Sequence, residues 1–272
     1  MRIRHPAVAG LFYPAQPAAL LAAVQSLLGD VEASPSPAIA SIAPHAGYVY
    51  SGRTAAEVFA RVDVPRRCIV VGPNHTGAGK AVHAGSVYAV GTLVTPAGEV
   101  PVDETLAAAL LAACQFLEDD PDAHRREHAV EVELPFLLAR CPDVMVVPIV
   151  LGWDDWPRTR ALGEALACVV RDATEPVLLV ASSDMNHYES AEVGGAKDRL
   201  ALEPIERLDG EALLEVTKKH RVTMCGRVPA AAVLHAARLL GATKGELIHY
   251  SHSGMVTGDD RQTVGYAGVI VR

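Results

Sequence analysis

Cys68-Ile69-Val70-Val71-Gly72-Pro73-Asn74-His75-Thr76-Gly77 is the stretch from which the fold can be read. An apolar run rich in β-branched residues stops at Gly-Pro, the pattern of a buried strand with a histidine just past its end. The same grammar recurs twice. Residues 39–43 lead through Pro44 to His45, and residues 177–181 lead through Ser182, Ser183 and Asp184 to His187. Ligands of open α/β sheets bind beyond the carboxyl ends of the strands, so three strand-end histidines imply one shared pocket.

Working outward, strand and helix patterns alternate along the chain. Helices are expected over about 17–28, 54–61, 103–117, 127–140, 159–171 and 230–240, with further buried strands over 144–151, 246–252 and 264–271. This is an α/β pattern. We expect a single domain spanning 1–272, with a central, mostly parallel or mixed sheet flanked by helices. The glycines from Gly77 to Gly98 break the chain into short segments over the sheet edge.

Composition narrows the function classes. There are 24 Lys+Arg against 32 Asp+Glu, a formal charge of −8, and no basic run, which disfavours nucleic acid and anionic membrane as partners. No apolar run approaches the ~20 residues a spanning helix needs. The five cysteines are scattered without CxxC spacing, and no secretory hydrophobic region follows Met1, a pattern that fits a reduced, cytoplasmic protein.

His45 and His75 leave rigid strands directly, the preorganisation a metal site needs. Cys225 lies just before a helix that begins near Pro229. There the helix dipole and Arg227 favour a thiolate, and a buried turn cysteine is the plainer alternative. Asp184 precedes His187 by three residues and can orient it, as a further ligand or as an acid–base pair beside a metal. His128, one helical turn from Glu131, can supply supporting hydrogen bonds, although a solvated helix face is the stronger reading of this pair taken alone. Tyr48 and Arg227 are expected near the pocket. His5, His83, His124, His220, His235, His249 and His252 lack a comparable context and stay outside the expected site.

Taken together, the motifs Ala9-Gly10-Leu11-Phe12-Tyr13-Pro14, Ala43-Pro44-His45-Ala46-Gly47-Tyr48, Gly72-Pro73-Asn74-His75, Glu127-His128-Ala129-Val130-Glu131-Val132-Glu133-Leu134-Pro135, Ser182-Ser183-Asp184-Met185-Asn186-His187 and Cys225-Gly226-Arg227 resemble the Memo family nearly end to end. In prokaryotes this family carries the name AmmeMemoRadiSam system protein B. The resemblance implies a fold similar to the class III extradiol dioxygenases. It makes His45 and His75 metal-binding histidines and His187 a catalytic base, and it puts Cys225 where the dioxygenases have a glutamate ligand. A thiolate there suits iron, copper or zinc, with iron expected first.

Three functions follow as expectations. The first is a metal-binding protein with possible redox or oxygen chemistry, using His45, His75 and Cys225 with Asp184 and His187 alongside. The second is a non-catalytic binding module for an anionic peptide or small ligand, held against the histidines and Arg53 or Arg227. The third is a ring-cleaving dioxygenase, disfavoured by the missing carboxylate. The resemblance also implies a functional link to a radical-SAM protein and an Ammecr-type protein.

Overall fold

The structure is a computed structural model that describes residues 2–79 and 84–272. His83 lies outside the described residues. The first elements follow the expected alternation. After β1 (Ile3–Arg4), α1 (Pro17–Gly29) opens on a proline, which suits the first turn because its N–H would have no partner there. Then come β2 (Ala40–Ala43), α2 (Tyr48–Phe59) and β3 (Arg67–Pro73). The glycine-rich stretch forms β4 (Gly85–Val87), β5 (Thr92–Thr95) and β6 (Gly98–Pro101).

Two expected helices are shorter than their patterns. α3 (Glu104–Ala113) starts where the Asp103 side chain accepts from Leu106 N, and it stops four residues early. The remainder becomes β7 (Leu117–Asp119), because pairing with β4 satisfies its backbone groups. α4 (Pro121–His124) follows. In place of a helix over 127–140 there is a 3₁₀ turn, Glu131–Glu133, and then α5 (Leu134–Arg140). Pro135 is tolerated only in the first turn, so the helix cannot extend far before it. His128 therefore sits on the preceding loop and not on a helix face.

β8 (Met145–Leu151), α6 (Trp156–Asp172) and β9 (Val177–Ser182) restore the alternation, and β10 (His187–Glu189) is a short strand just past the third histidine motif. The polar stretch after it is two helices, α7 (Ala191–Glu206) and α8 (Gly210–His220), separated at Leu208, whose φ is 57°. α9 (Arg227–Leu239), β11 (Gly245–His252), α10 (Gly254–Thr257) and β12 (Thr263–Val271) complete the chain.

The main sheet is mixed and nine-stranded, in the order β10-β12-β2-β9-β3-β8-β4-β7, with β11 also paired to β12. Its heart, β2-β9-β3-β8, is parallel. Successive residues Ile69, Val70 and Val71 have no exposed surface, so both faces of the sheet are covered. α2 packs on β2, β11 and β12, while α9 packs on β9, β3 and β2 with α6 behind it. β1, β5 and β6 form a separate three-stranded sheet. Among the described residues, no helix is long and apolar enough to cross a membrane.

Candidate metal centre

Parallel pairing is what gathers the histidines. Ala43 of β2 is in register with Ser182 of β9, and Val71 of β3 with Ala181, so the three strands end level with one another. Neighbouring strands lie about 4.8 Å apart, which places residues just beyond their ends along one short line. His45 and His75 are two residues past β2 and β3, and their ring centroids are 5.1 Å apart.

The loop carrying His128 reaches the same point. A Cβ at Gly72 would come within 2.8 Å of Ala129 Cβ, so only glycine lets this loop lie against the end of β3. His128 stacks on His75 with centroids 4.6 Å apart and planes 12° apart, and Phe12 closes its outer edge at 4.8 Å. His45, His75 and His128 each offer a ligand atom within 4.8 Å of the others, so this group can hold a metal ion.

Each strand-end histidine has its Nδ1 engaged. Nδ1 of His45 lies 2.8 Å from Ser182 Oγ, Nδ1 of His75 lies 2.8 Å from Glu127 Oε1, and Nδ1 of His187 lies 3.0 Å from the Thr223 carbonyl. A carbonyl or carboxylate accepts, so His75 and His187 donate from Nδ1 and keep the Nε2 lone pair free, the form that binds metal or takes a proton. Burial lowers the His45 pKa well below its usual value, and repulsion from His75, His128 and His187 adds to this. Burial likewise lowers His128 and His187. Neutral imidazoles are the ligand form.

Glu127 is the carboxylate under this loop. It accepts from the backbone N–H groups of His75, His128 and Ala129 as well as from the His75 ring. Burial pushes its pKa up, but these hydrogen bonds and the nearby imidazoles win and hold it below the usual range. Its position beside His128 in the sequence was the available signal for this role. Ser182 and Thr223 gave no comparable signal.

The remaining expected residues divide. Cys225 Sγ lies 3.3 Å from His45 Nε2 and accepts from Asp184 N at 3.3 Å. Its turn presses on β9 because a Cβ at Gly226 would meet Ser182 O at 2.5 Å. The expected thiolate stabilisation is reversed in the structure. Desolvation and the neighbouring Asp184 push the thiol up, while Arg227 turns away to pair with Asp154 at 2.7 Å. Asp184 Oδ1 accepts from His45 N at 2.9 Å, and burial raises its pKa to about 7. Glu131 does not bond His128. It is a buried anchor that accepts from Ala7 N, Val8 N, Tyr13 and Arg4 and so ties down the N-terminal segment. Tyr48 packs on Phe136 and donates to Val132 O at 2.8 Å, supporting the 3₁₀ turn from below.

The four histidines and Asp184 line a cleft of about 520 Å³, while Cys225, Glu131 and Tyr48 lie outside its lining. Its floor is His45, His75, His128, His187 and Asp184, and its walls include Phe12, Val49, Tyr50, Tyr188 and Tyr266. Among the described residues, neither lysine nor arginine lines it. Arg53, the other expected anion contact, pairs with Glu57 instead. The fold and the site thus define a mixed α/β protein with a histidine-floored candidate metal centre at the carboxyl edge of its parallel strands.

Comparisons with known proteins give the family and agree with the fold. A family model described as Memo-like protein matches residues 4–270. A MEMO1 family protein of Aquifex aeolicus is 40% identical over 271 residues, covering 99% of each chain. Another from Methanopyrus kandleri is 37% identical over 282 residues, again covering 99% of each. The chain belongs to the Memo family. A crystal structure of an uncharacterized protein from Escherichia coli K12 shares the fold, with a TM-score of 0.50 and 15% identity, covering 83% of this chain and 98% of that one.

Proposed function

We propose that this Memo-family protein binds a transition metal at His45, His75 and His128, with Cys225 Sγ beside His45 as a further, softer donor, and acts there on a small ligand. The observation that carries this reading is the convergence of three imidazoles at ligand spacing on the floor of a cleft. The donor set fits, since neutral imidazoles and a thiol suit iron, copper or zinc, and we favour iron. Bound iron or copper would supply one-electron redox chemistry, and any of the three would supply Lewis acidity.

The chain's own groups have defined tasks in this reading. His187, with Nδ1 committed to the Thr223 carbonyl, presents Nε2 to take a proton from a ligand. Asp184, with a pKa near 7, can exchange a proton at the same floor while fixing the His45 backbone. Phe12, Val49, Tyr50 and Tyr188 exclude water and favour an apolar, ring-bearing body. Among the described residues no lysine or arginine lines the cleft, which favours an uncharged small molecule over an anionic peptide.

Metal analysis of protein purified without oxygen tests the reading. We expect stoichiometric iron, or stoichiometric uptake of iron(II), copper or zinc by the metal-free protein. A His45→Ala/His75→Ala/His128→Ala variant that stays folded should lose that uptake, and unchanged uptake would overturn the proposal. Cys225→Ala should alter the absorption spectrum of the copper-loaded form if sulfur ligates.

A further inference from the structure

Ser182 Oγ is surrounded by three polar groups: Ala129 O at 2.6 Å, Glu133 Oε1 at 2.7 Å and His45 Nδ1 at 2.8 Å. Ser182 and Glu133 are fully buried. A hydroxyl has one hydrogen and two lone pairs. The Ala129 carbonyl can only accept, so the hydroxyl hydrogen goes there. The other two contacts are satisfied only if both neighbours donate to Ser182, from a protonated His45 Nδ1 and a protonated Glu133 Oε1. An ionised Glu133 would compete with Ala129 for the single hydrogen. Its second oxygen, Oε2, is buried with no hydrogen-bond partner among the described residues, an arrangement that penalises a carboxylate far more than a neutral acid.

We propose that Glu133 is a neutral hydrogen-bond donor that leaves the Ser182 hydrogen to the Ala129 carbonyl, so that Ser182 holds His45 as its Nδ1–H tautomer and keeps the Nε2 lone pair turned toward Cys225 and the candidate metal centre. Glu133 is thus a positioning residue, two hydrogen bonds removed from the ion. Burial supports the same assignment, raising the Glu133 pKa to about 8 with the charge of Asp184 adding to it, against the hydrogen bond to Ser182. A chain that needed only to orient His45 could have used the serine alone. The Ala129 carbonyl takes the one hydroxyl hydrogen and leaves Ser182 none to offer His45, which removes the alternative tautomer, while the protonated acid fills the remaining lone pair without competing for that hydrogen.

The inference rests on His45 being a ligand, and the test separates the two claims by reading the tautomer without metal. ¹⁵N-histidine spectra of the metal-free protein at pH 7 should show His45 protonated at Nδ1, and infrared difference spectra against Glu133→Gln should show a protonated carboxyl band in the wild type. Glu133→Gln keeps an N–H donor, so the tautomer should persist and zinc affinity should stay within about threefold. Ser182→Ala removes the acceptor of the Nδ1–H, so the Nε2–H tautomer should appear and zinc affinity should fall roughly tenfold, in the range of lost supporting contacts at metal sites. If Ser182→Ala does not fold, the carboxyl band and the Glu133→Gln tautomer still decide the matter. A missing carboxyl band, or a folded Ser182→Ala with unchanged tautomer, overturns the proposal. Tautomers as expected in a wild type that binds no zinc would sustain it and sink the metal reading instead.

Discussion

His45 and His75 leave parallel strands in the same direction, yet opposite chemistry anchors them. His75, partly open to the cleft, is held by an ionised carboxylate that collects four N–H donors. His45, almost wholly buried, is held by a hydroxyl and, beyond it, a carboxyl group that burial keeps protonated. Burial decides which anchor is possible. Charge survives at Glu127 because four donors surround it, whereas Glu133 has, among the described residues, a single hydrogen-bond partner on one oxygen and none on the other.

Removing each anchor should therefore cost different amounts. Glu127→Ala strands four donors in a buried place, and we expect about 3–5 kcal/mol of lost stability in urea unfolding. Ser182→Ala removes a neutral partner and should cost about 1–3 kcal/mol. Equal losses would mean that charge is not what distinguishes the two histidines. Gly72→Ala falls in the same lower range, about 1–3 kcal/mol, because the added methyl pushes away the loop holding Glu127 and His128. It should also weaken zinc binding, while a variant with normal stability and normal binding would show that the loop needs no close approach.

The two anchors also differ in how stability should follow pH. Glu133 has a folded pKa near 8 against an ordinary value of 4.5, so the folded protein holds its proton more tightly than the unfolded chain does. Its contribution is fully present below pH 4.5 and is lost as pH rises through about 8. Ser182, Tyr48 and Asp184 are the polar and titratable groups that bear on it, and Asp184, itself raised to about 7, works in the same direction. Relative to wild type, Glu133→Gln should thus gain stability with rising pH between about 5 and 8, by at most about 1.4 kcal/mol per pH unit. Parallel pH profiles for the two proteins would contradict a protonated Glu133.

The strand-end histidines were legible in the sequence because strands buried on both faces read as continuous apolar runs, and Gly-Pro marks where β3 stops. Their partners were not. Glu127 and His128 sit in a segment with helical spacing, and only Pro135 betrays that the helix starts later. Ser182 reads as an ordinary residue at a strand end, since its value comes from Ala129 and Glu133, some fifty residues away in the chain. Cys225 stood out by its place before α9, but its partly buried position beside Asp184, which reverses the expected effect on the thiol, exists only in three dimensions. β7 and β10 are three-residue strands, too short for any alternation to register.

The smallest effect belongs to the cleft wall. Tyr188 has a φ of 63°, in the left-handed region, where the pairing of β10 with β12 shifts register. That conformation costs a residue with a Cβ about 1–2 kcal/mol, and at 77% exposure the ring recovers little of it by burial. Glycine adopts the same φ freely but loses more entropy on folding, by roughly 0.5–1 kcal/mol. Tyr188→Gly should therefore leave stability unchanged or raise it by up to about 1 kcal/mol in urea unfolding. Strain retained beside His187 makes sense if it holds the ring over the cleft for a ligand. On that account the same variant should weaken binding of a neutral aromatic probe such as benzyl alcohol, followed by ligand-observed NMR, while sparing zinc uptake. A loss of more than about 1 kcal/mol would instead make Tyr188 a packing residue, and the cleft would have to hold its ligand by its floor alone.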